Sequence, residues 1–240
     1  MGFQTKEIID RLNEMAGADD SVKEIKLGHL DIFGIRDLLF LDIPHEKLLA
    51  IADEIGRPRQ DIANELWRAD QYEAKILSCM LSDPAGITEE QADELAGNFD
   101  SWFLCDYYCN KILWKMPFAV RKASEWADSE NDKLLCSGFS LIAAIALHAP
   151  HGRDCQPGFY DNALFLARKR ASSKNPHVRR AVSSALAMIG RIDADWNEAS
   201  VETAGEIAAQ PSEKARWVAS QALADLKSSR VKNAFRRERP

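Results

Sequence analysis

The sequence predicts an all-α protein built as a curved stack of antiparallel helix pairs. Three observations carry this. Strand-like alternation of apolar and polar residues is hard to find, whereas Ala, Leu, Glu and Lys, all good helix formers, are plentiful. Apolar residues recur at helical spacing in about a dozen segments, joined mostly by short turns marked with Pro or Gly. Two late segments, NPHVRRAVSSALAMIG and PSEKARWVASQALADL, repeat one plan roughly 35 residues apart: a Pro, a basic turn, then small and apolar residues.

Taken in order, Phe3 to Ala16 is helical by its Ile8, Ile9, Leu12, Met15 spacing, and GADDS (17–21) breaks it. Residues 27–36, LGHLDIFGIR, read as a loop running into a short helix. Pro44 is placed as a first-turn proline, with Asp42 just before it as a cap and helix from Glu46 to Ile55. Asp61 to Trp67 and Tyr72 to Leu81 follow as helices, with Ile62, Leu66 and Trp67 inward. Thr88 and Gln91 form a capping-box signature for a helix to Ala96. Gly97-Asn98 separates that helix from the next, which lies in the stretch 98–110, NFDSWFLCDYYCN, and carries Trp102 and Asp106. Pro117 opens another through Trp126. Asn131 to Leu147 is the most apolar helix and central. HAPHGRDCQPG (148–158) is the longest loop. Helices over 159–171, 176–189, 195–208 and 212–226 complete the chain. Trp126 and Trp217, with apolar neighbours at helical spacing, are expected in the core. Tyr72 and Glu73 are expected to pack and cap. The whole reads as one HEAT-like α-solenoid domain over residues 1–228, followed by a basic tail over 229–240. The alternative for the same helices is a closed bundle.

Hydrophobic residues make up 46% and charged residues 28% of the chain, the balance of an ordinary soluble protein of 240 residues. No apolar run is long enough to span a bilayer, and the amphipathic N-terminus does not resemble a signal peptide. Five cysteines, an odd number without a CxxC, fit a reduced cytoplasm, and Cys105 and Cys109 share a helical face. His148, His151, Asp154 and Cys155 are too irregularly spaced for an expected metal site, and no cofactor is expected. The expected state is a monomer.

Net charge is −6, but it is unevenly distributed. Residues 162–192 contain no acid, yet hold Arg168, Lys169, Arg170, Lys174, Arg179, Arg180 and Arg191. A localised basic patch matters more for phosphate binding than the net total does. Arg179 and Arg180 follow Pro176 at a helix start, where free amides can also hold a phosphate. The plain alternative is a solvated first turn.

Within 98–110, Trp102 and Asp106 lie four apart, so indole and carboxylate share one helical face. A carboxylate beside an exposed indole suits a cationic or electron-poor ring. The plain alternative is a core helix whose acid caps a neighbour or pairs with an Arg.

Six segments, in order along the chain, carry a resemblance. They are FGIR (33–36), ELWRADQYEAKILSCMLSDP (65–84), FDSWFLCD (99–106), WADSEN (126–131) with SGFSLIAAIALH (137–148), VRRAVSSALAMIGR (178–191) and ARWVASQALADL (215–226). Together they resemble the DNA alkylation repair, AlkD-like, HEAT-repeat DNA glycosylases. The resemblance implies excision of cationic N3- or N7-alkylpurines from duplex DNA held mainly by its backbone, without deep base flipping. It makes Asp106 the residue that stabilises the oxocarbenium sugar and positions water, and Trp102 the one that holds the sugar. For such a role the acid-free stretch offers Lys174, Arg179, Arg180, Arg168 and Arg191 as backbone-binding cations. The sequence departs from the family at the site. Ser184 stands where a tryptophan is usual and Ala187 where an arginine is. Leu135-Cys136-Ser137 lacks the basic residue usual before Gly138-Phe139. Two further functions fit these departures: a module that binds duplex or branched DNA without excising, and a protein-binding solenoid.

Overall fold

A computed structural model describes residues 4–16, 38–150, 158–229 and 231. Outside the described residues fall GADDS, the expected loop and short helix over 27–36 with the FGIR motif, the part of the 148–158 loop that holds His151, Asp154 and Cys155, and nearly all of the basic tail.

Among the described residues the chain forms twelve α-helices and no strand beyond an isolated bridge between Leu39 and Gln71. The helices are α1 (Thr5–Met15), α2 (His45–Ile55), α3 (Gln60–Trp67), α4 (Tyr72–Leu81), α5 (Glu89–Asn98), α6 (Trp102–Lys111), α7 (Ala119–Ala127), α8 (Asp132–His148), α9 (Phe159–Arg170), α10 (Pro176–Ile189), α11 (Ala194–Ala209) and α12 (Glu213–Leu226). Most starts are written locally. Thr88, Ser101, Asn131, Asn175, Asp193 and Ser212 each accept a backbone N–H of the first turn that follows. Thr88 and Gln91 close a full capping box. Pro44 precedes α2 as its N-cap, one position earlier than a first-turn proline. No helix is long and apolar enough to cross a membrane among the described residues.

The helices gather into two compact units, residues 1–117 and 118–240. In the first, α3 and α4 pack as a pair, and α4 is buried over nearly its whole length, including Glu73 and Lys75. Trp67, Phe99 and Tyr108 meet edge-to-face or tilted at its core, with ring centroids 5.2–5.5 Å apart. The Tyr108 hydroxyl donates to the carbonyl of Lys75 at 2.9 Å.

The second unit has two layers. The inner helices α8, α10 and α12 lie against the outer helices α7, α9 and α11. Asn175, capping α10, donates to Asp132 in the first turn of α8 at 3.1 Å. At the other end, Arg191 just past α10 forks onto Asp225 in the last turn of α12. Start meets start and finish meets finish, so the three inner helices run the same way. The outer helices do likewise. Arg170 at the end of α9 donates to the carbonyls of Asp128 and Ser129, just past α7, at 2.9 and 3.1 Å.

α8 is buried from Leu135 to Ala146. It can sit so deep because Gly138 lets α7 approach: a Cβ there would lie 2.3 Å from the backbone nitrogen of Ala127. Trp126 is core, as its spacing indicates, at 3% exposure. Trp217 is not, and here the structure corrects the sequence reading. The buried face of α12 is Ala215, Val218, Ala219, Ala222 and Leu226. Trp217 falls off that face and stands 43% exposed.

Replacing Gly138 by Ala puts a methyl into backbone that cannot swing aside, and should cost about 3 kcal/mol. Gly205 in α11 has nothing within 4 Å of its would-be Cβ. Gly205→Ala should therefore stabilise by about 0.5–1 kcal/mol through helix propensity. Denaturant titration of the pair tests this, and equal effects would contradict the close approach.

Burial pushes the phenols of Tyr72, Tyr107 and Tyr108 above their ordinary value. In the unfolded chain they ionise near about pH 10, so these groups favour folding below that point and oppose it above. Absorbance titration of the folded protein should show at most one of its four tyrosines ionising before unfolding begins. Normal titration of all four would contradict the packing.

Candidate functional site

α6 starts at Trp102, because Ser101 caps it by accepting the N–H of Leu104 at 3.1 Å. Leu104, Cys105, Tyr108 and Cys109 turn inward. Both cysteines are free thiols. The opposite strip, Trp102, Phe103, Asp106, Tyr107 and Asn110, is half-buried. Trp102 and Asp106 thus share one accessible face, as their spacing predicts.

That face is richer in rings than the sequence shows. Phe103 stacks on Tyr107, with centroids 6.3 Å and planes 15° apart, and meets Trp102 edge-on at 6.3 Å. Tyr72 at the start of α4 lies 6.3 Å from Phe103, and Phe40 lies 5.7 Å from Tyr72. His45 at the start of α2 meets Tyr107 edge-on at 6.0 Å. Phe40, His45 and Tyr72 come from other segments, and no local pattern announces them. The phenols of Tyr72 and Tyr107, neutral at physiological pH in any case, are pushed still further from ionisation by burial. The face can offer π-surface and hydroxyls without added negative charge.

Two buried charges on α4 hold this arrangement. The Glu73 carboxylate accepts the backbone N–H of Leu41 at 3.0 Å and of Ile43 at 3.4 Å. It tethers the segment that presents Phe40, across Asp42, which has a φ of 60°. Burial pushes the Glu73 carboxyl up, and these amides pull against that rise. Glu73 is packed, as the sequence reading expects, but the amides it satisfies belong to the 41–43 segment and not to a helix start. Lys75 donates to the Trp67 carbonyl at 2.7 Å, lies 4.3 Å from the Trp67 ring centroid and pairs with Asp100 at 3.2 Å. Asp100 immediately precedes the cap of α6, so this pair fixes where α6 begins.

The cations of the second unit divide by layer. Arg168 pairs with Glu206 at 2.7 Å, Lys169 with Asp128 at 2.8 Å and Arg170 with Glu130 at 2.7 Å. Lys169 holds Asp128 below the ordinary carboxylate range, and Arg170 does the same for Glu130. These outer-layer cations serve internal pairs, and Arg170 also closes the end of α7. Arg191 is likewise committed to Asp225. Arg179 donates to the carbonyls of Ser173 and Lys174 at 2.8 and 2.9 Å, closing the turn before its own helix. Lys174 is exposed and Arg180 half-exposed at the start of α10. Of the five cations singled out in the sequence, Lys174, Arg179 and Arg180 gather at that start. Arg168 and Arg191 stand elsewhere. At the positions where the sequence departs from the AlkD-like pattern, Cys136 and Ala187 are buried, and Ser184 is half-buried. Among the described residues no group of three or more His, Cys, Asp or Glu converges as metal ligands would.

Comparison with known proteins closes the question of family. No curated protein matches. Among solved structures, one chain described as "a new family of proteins related to the HEAT-like repeat DNA glycosylases with affinity for branched DNA structures" superposes with a TM-score of 0.71. It is 17% identical, and the match covers 85% of this chain and 83% of that one. A designed armadillo repeat protein, 14% identical, aligns over 93% of this chain and 100% of its own with a TM-score of 0.42. The fold is a HEAT-like α-solenoid. The family model described as DNA alkylation repair enzyme matches residues 23–226. The chain belongs to the DNA alkylation repair enzyme family.

Proposed function

We propose that this protein binds DNA through the sugar–phosphate backbone and excises cationic N3- or N7-alkylpurines, with Asp106 as the catalytic carboxylate. The observation that carries the reading is the shared face of Trp102 and Asp106, ringed by Phe103, Tyr107 and Tyr72. An alkylated purine already bears positive charge and leaves readily. When the C1′–N bond breaks, its electron pair departs with the base, which becomes neutral, and the charge passes to the sugar. Asp106 stabilises that oxocarbenium ion through space, and Trp102 holds the sugar by ring–cation attraction. Water adds its oxygen to C1′ and gives its proton to Asp106.

The backbone is held at the start of α10. The Val178 N–H in the first turn, with Lys174, Arg179 and Arg180, offers a phosphate a hydrogen bond and positive potential. Branched or duplex DNA supplies such phosphates alike. Binding without excision is the second reading. It is favoured by Cys136, Ala187 and Ser184, which carry neither the cations nor the ring usual at these positions in AlkD-like sequences.

Single-turnover release of 7-methylguanine from methylated duplex should be measurable for the wild type and fall roughly 100-fold or more in Asp106→Asn. No release by the wild type, with binding intact, selects the second reading. Lys174→Gln combined with Arg180→Gln should flatten the dependence of log affinity on log salt by roughly 2, since each lost phosphate contact removes about 0.9. An unchanged slope would move the phosphate site away from α10.

A further inference from the structure

Trp217 is a large aromatic side chain that the core does not use. Its position has a structural counterpart. The buried residues Val178, Ala181, Val182, Ala185 and Ile189 of α10 match Ala215, Val218, Ala219, Ala222 and Leu226 of α12, each pair separated by 37 residues. On that register Trp217 corresponds to Arg180, Lys214 to His177 and Arg216 to Arg179. The two helices lie side by side and run the same way. Their last turns are held by Arg191 on Asp225, and by Leu226 packed where Gly190 leaves no room for a Cβ. The face on which α10 presents Arg180 is therefore the face on which α12 presents Trp217.

The neighbourhood of the ring is not that of a protein-docking patch. Lys214, three residues before it, and Glu213, four before it, share its side of the helix, and Arg216 stands about a quarter turn round; all three are exposed. The ring lies in the second turn of α12, and side chains there lean back toward the helix start. An exposed indole beside Lys214 near the start of a helix suits a flat, electron-poor ring whose chain carries phosphates on either side. A nucleobase is such a ring. In continuous duplex its faces are covered by its neighbours, so the indole can stack only on a base that has left the stack.

From this we infer that Trp217 is a stacking residue for an unpaired base, and that it makes the inner face of this unit prefer branched or single-strand-bearing DNA to continuous duplex. The inference rests on the backbone-binding reading above and names the DNA feature that this face distinguishes.

The test compares three DNAs of equal phosphate count at one salt concentration: a blunt duplex, a fork with two unpaired arms, and the same fork with abasic arms. Wild type, Trp217→Ala, Trp217→Phe and Phe165→Ala are titrated against each. Phe165 is an exposed aromatic on the outer helix α9 and serves as the control. Wild type should prefer the fork. Trp217→Ala should reduce that preference roughly tenfold, the weight of one stacked base. Abasic arms should produce the same loss in wild type and little further loss in Trp217→Ala. Trp217→Phe should keep most of the preference, and Phe165→Ala all of it. Equal weakening of fork and blunt duplex by Trp217→Ala, or no weakening of either, overturns the stacking role while leaving backbone binding in place. Failure of the wild type to bind any of the three overturns both.

Discussion

Short connections impose a polarity on the second unit, and the rest of that unit follows from it. When a helix ends and the next begins within a few residues, the two must run antiparallel, so every outer helix finishes where an inner helix starts. One edge therefore collects the amide-rich starts of α8, α10 and α12 beside the carbonyl-rich ends of α7, α9 and α11. The two kinds of end want opposite charges. The outer ends take theirs from within the chain, as when Arg170 closes α7 and Lys169 and Arg168 pair with acids of neighbouring outer helices. The inner starts are capped by Asn131, Asn175 and Ser212, each of which satisfies only one or two of the orphan amides. What remains is a row of donors that an external anion can use. Gly138 makes the arrangement possible, because only a glycine lets α7 lie close enough to cover α8.

In the first unit the organising element is α4. Burying two charged side chains two residues apart is costly, and it is tolerated because each is satisfied by several partners. Glu73 gathers backbone amides of the 41–43 segment, and Lys75 gathers a carbonyl, a ring and Asp100. The two charges act in different directions, one fixing Phe40 against Tyr72 and the other fixing the approach to α6. Asp106 thus sits on a helix whose start is set by ionic and aromatic contacts beneath it.

Much of this was legible in the sequence because it is local. Helix number, the capping box at Thr88, the inward turn of Trp67 and Trp126, and the shared face of Trp102 and Asp106 follow from spacing within one segment. The failures are all relations between segments. Residues 162–192 read as free positive charge because they contain no acid. Their counter-ions, Asp128, Glu130, Glu206 and Asp225, lie in other segments. Trp217 has apolar neighbours in sequence, but the face it occupies depends on which register of α12 meets α10 and α11. The rings of Phe40, His45 and Tyr72 reach the Asp106 face only through folding, so periodicity could not have found them.

The central claim is that helix starts in the second unit receive DNA phosphates. Hydrogen–deuterium exchange resolved to single amides tests it most directly, since first-turn amides have no intrahelical partner and exchange fast until something binds them. With saturating forked DNA, the amides of Val178 at the start of α10 and of Glu213 and Lys214 at the start of α12 should slow, while the ends of those helices stay unchanged. Unchanged exchange at both starts in a saturated complex, or protection confined to the outer helices, would contradict the account.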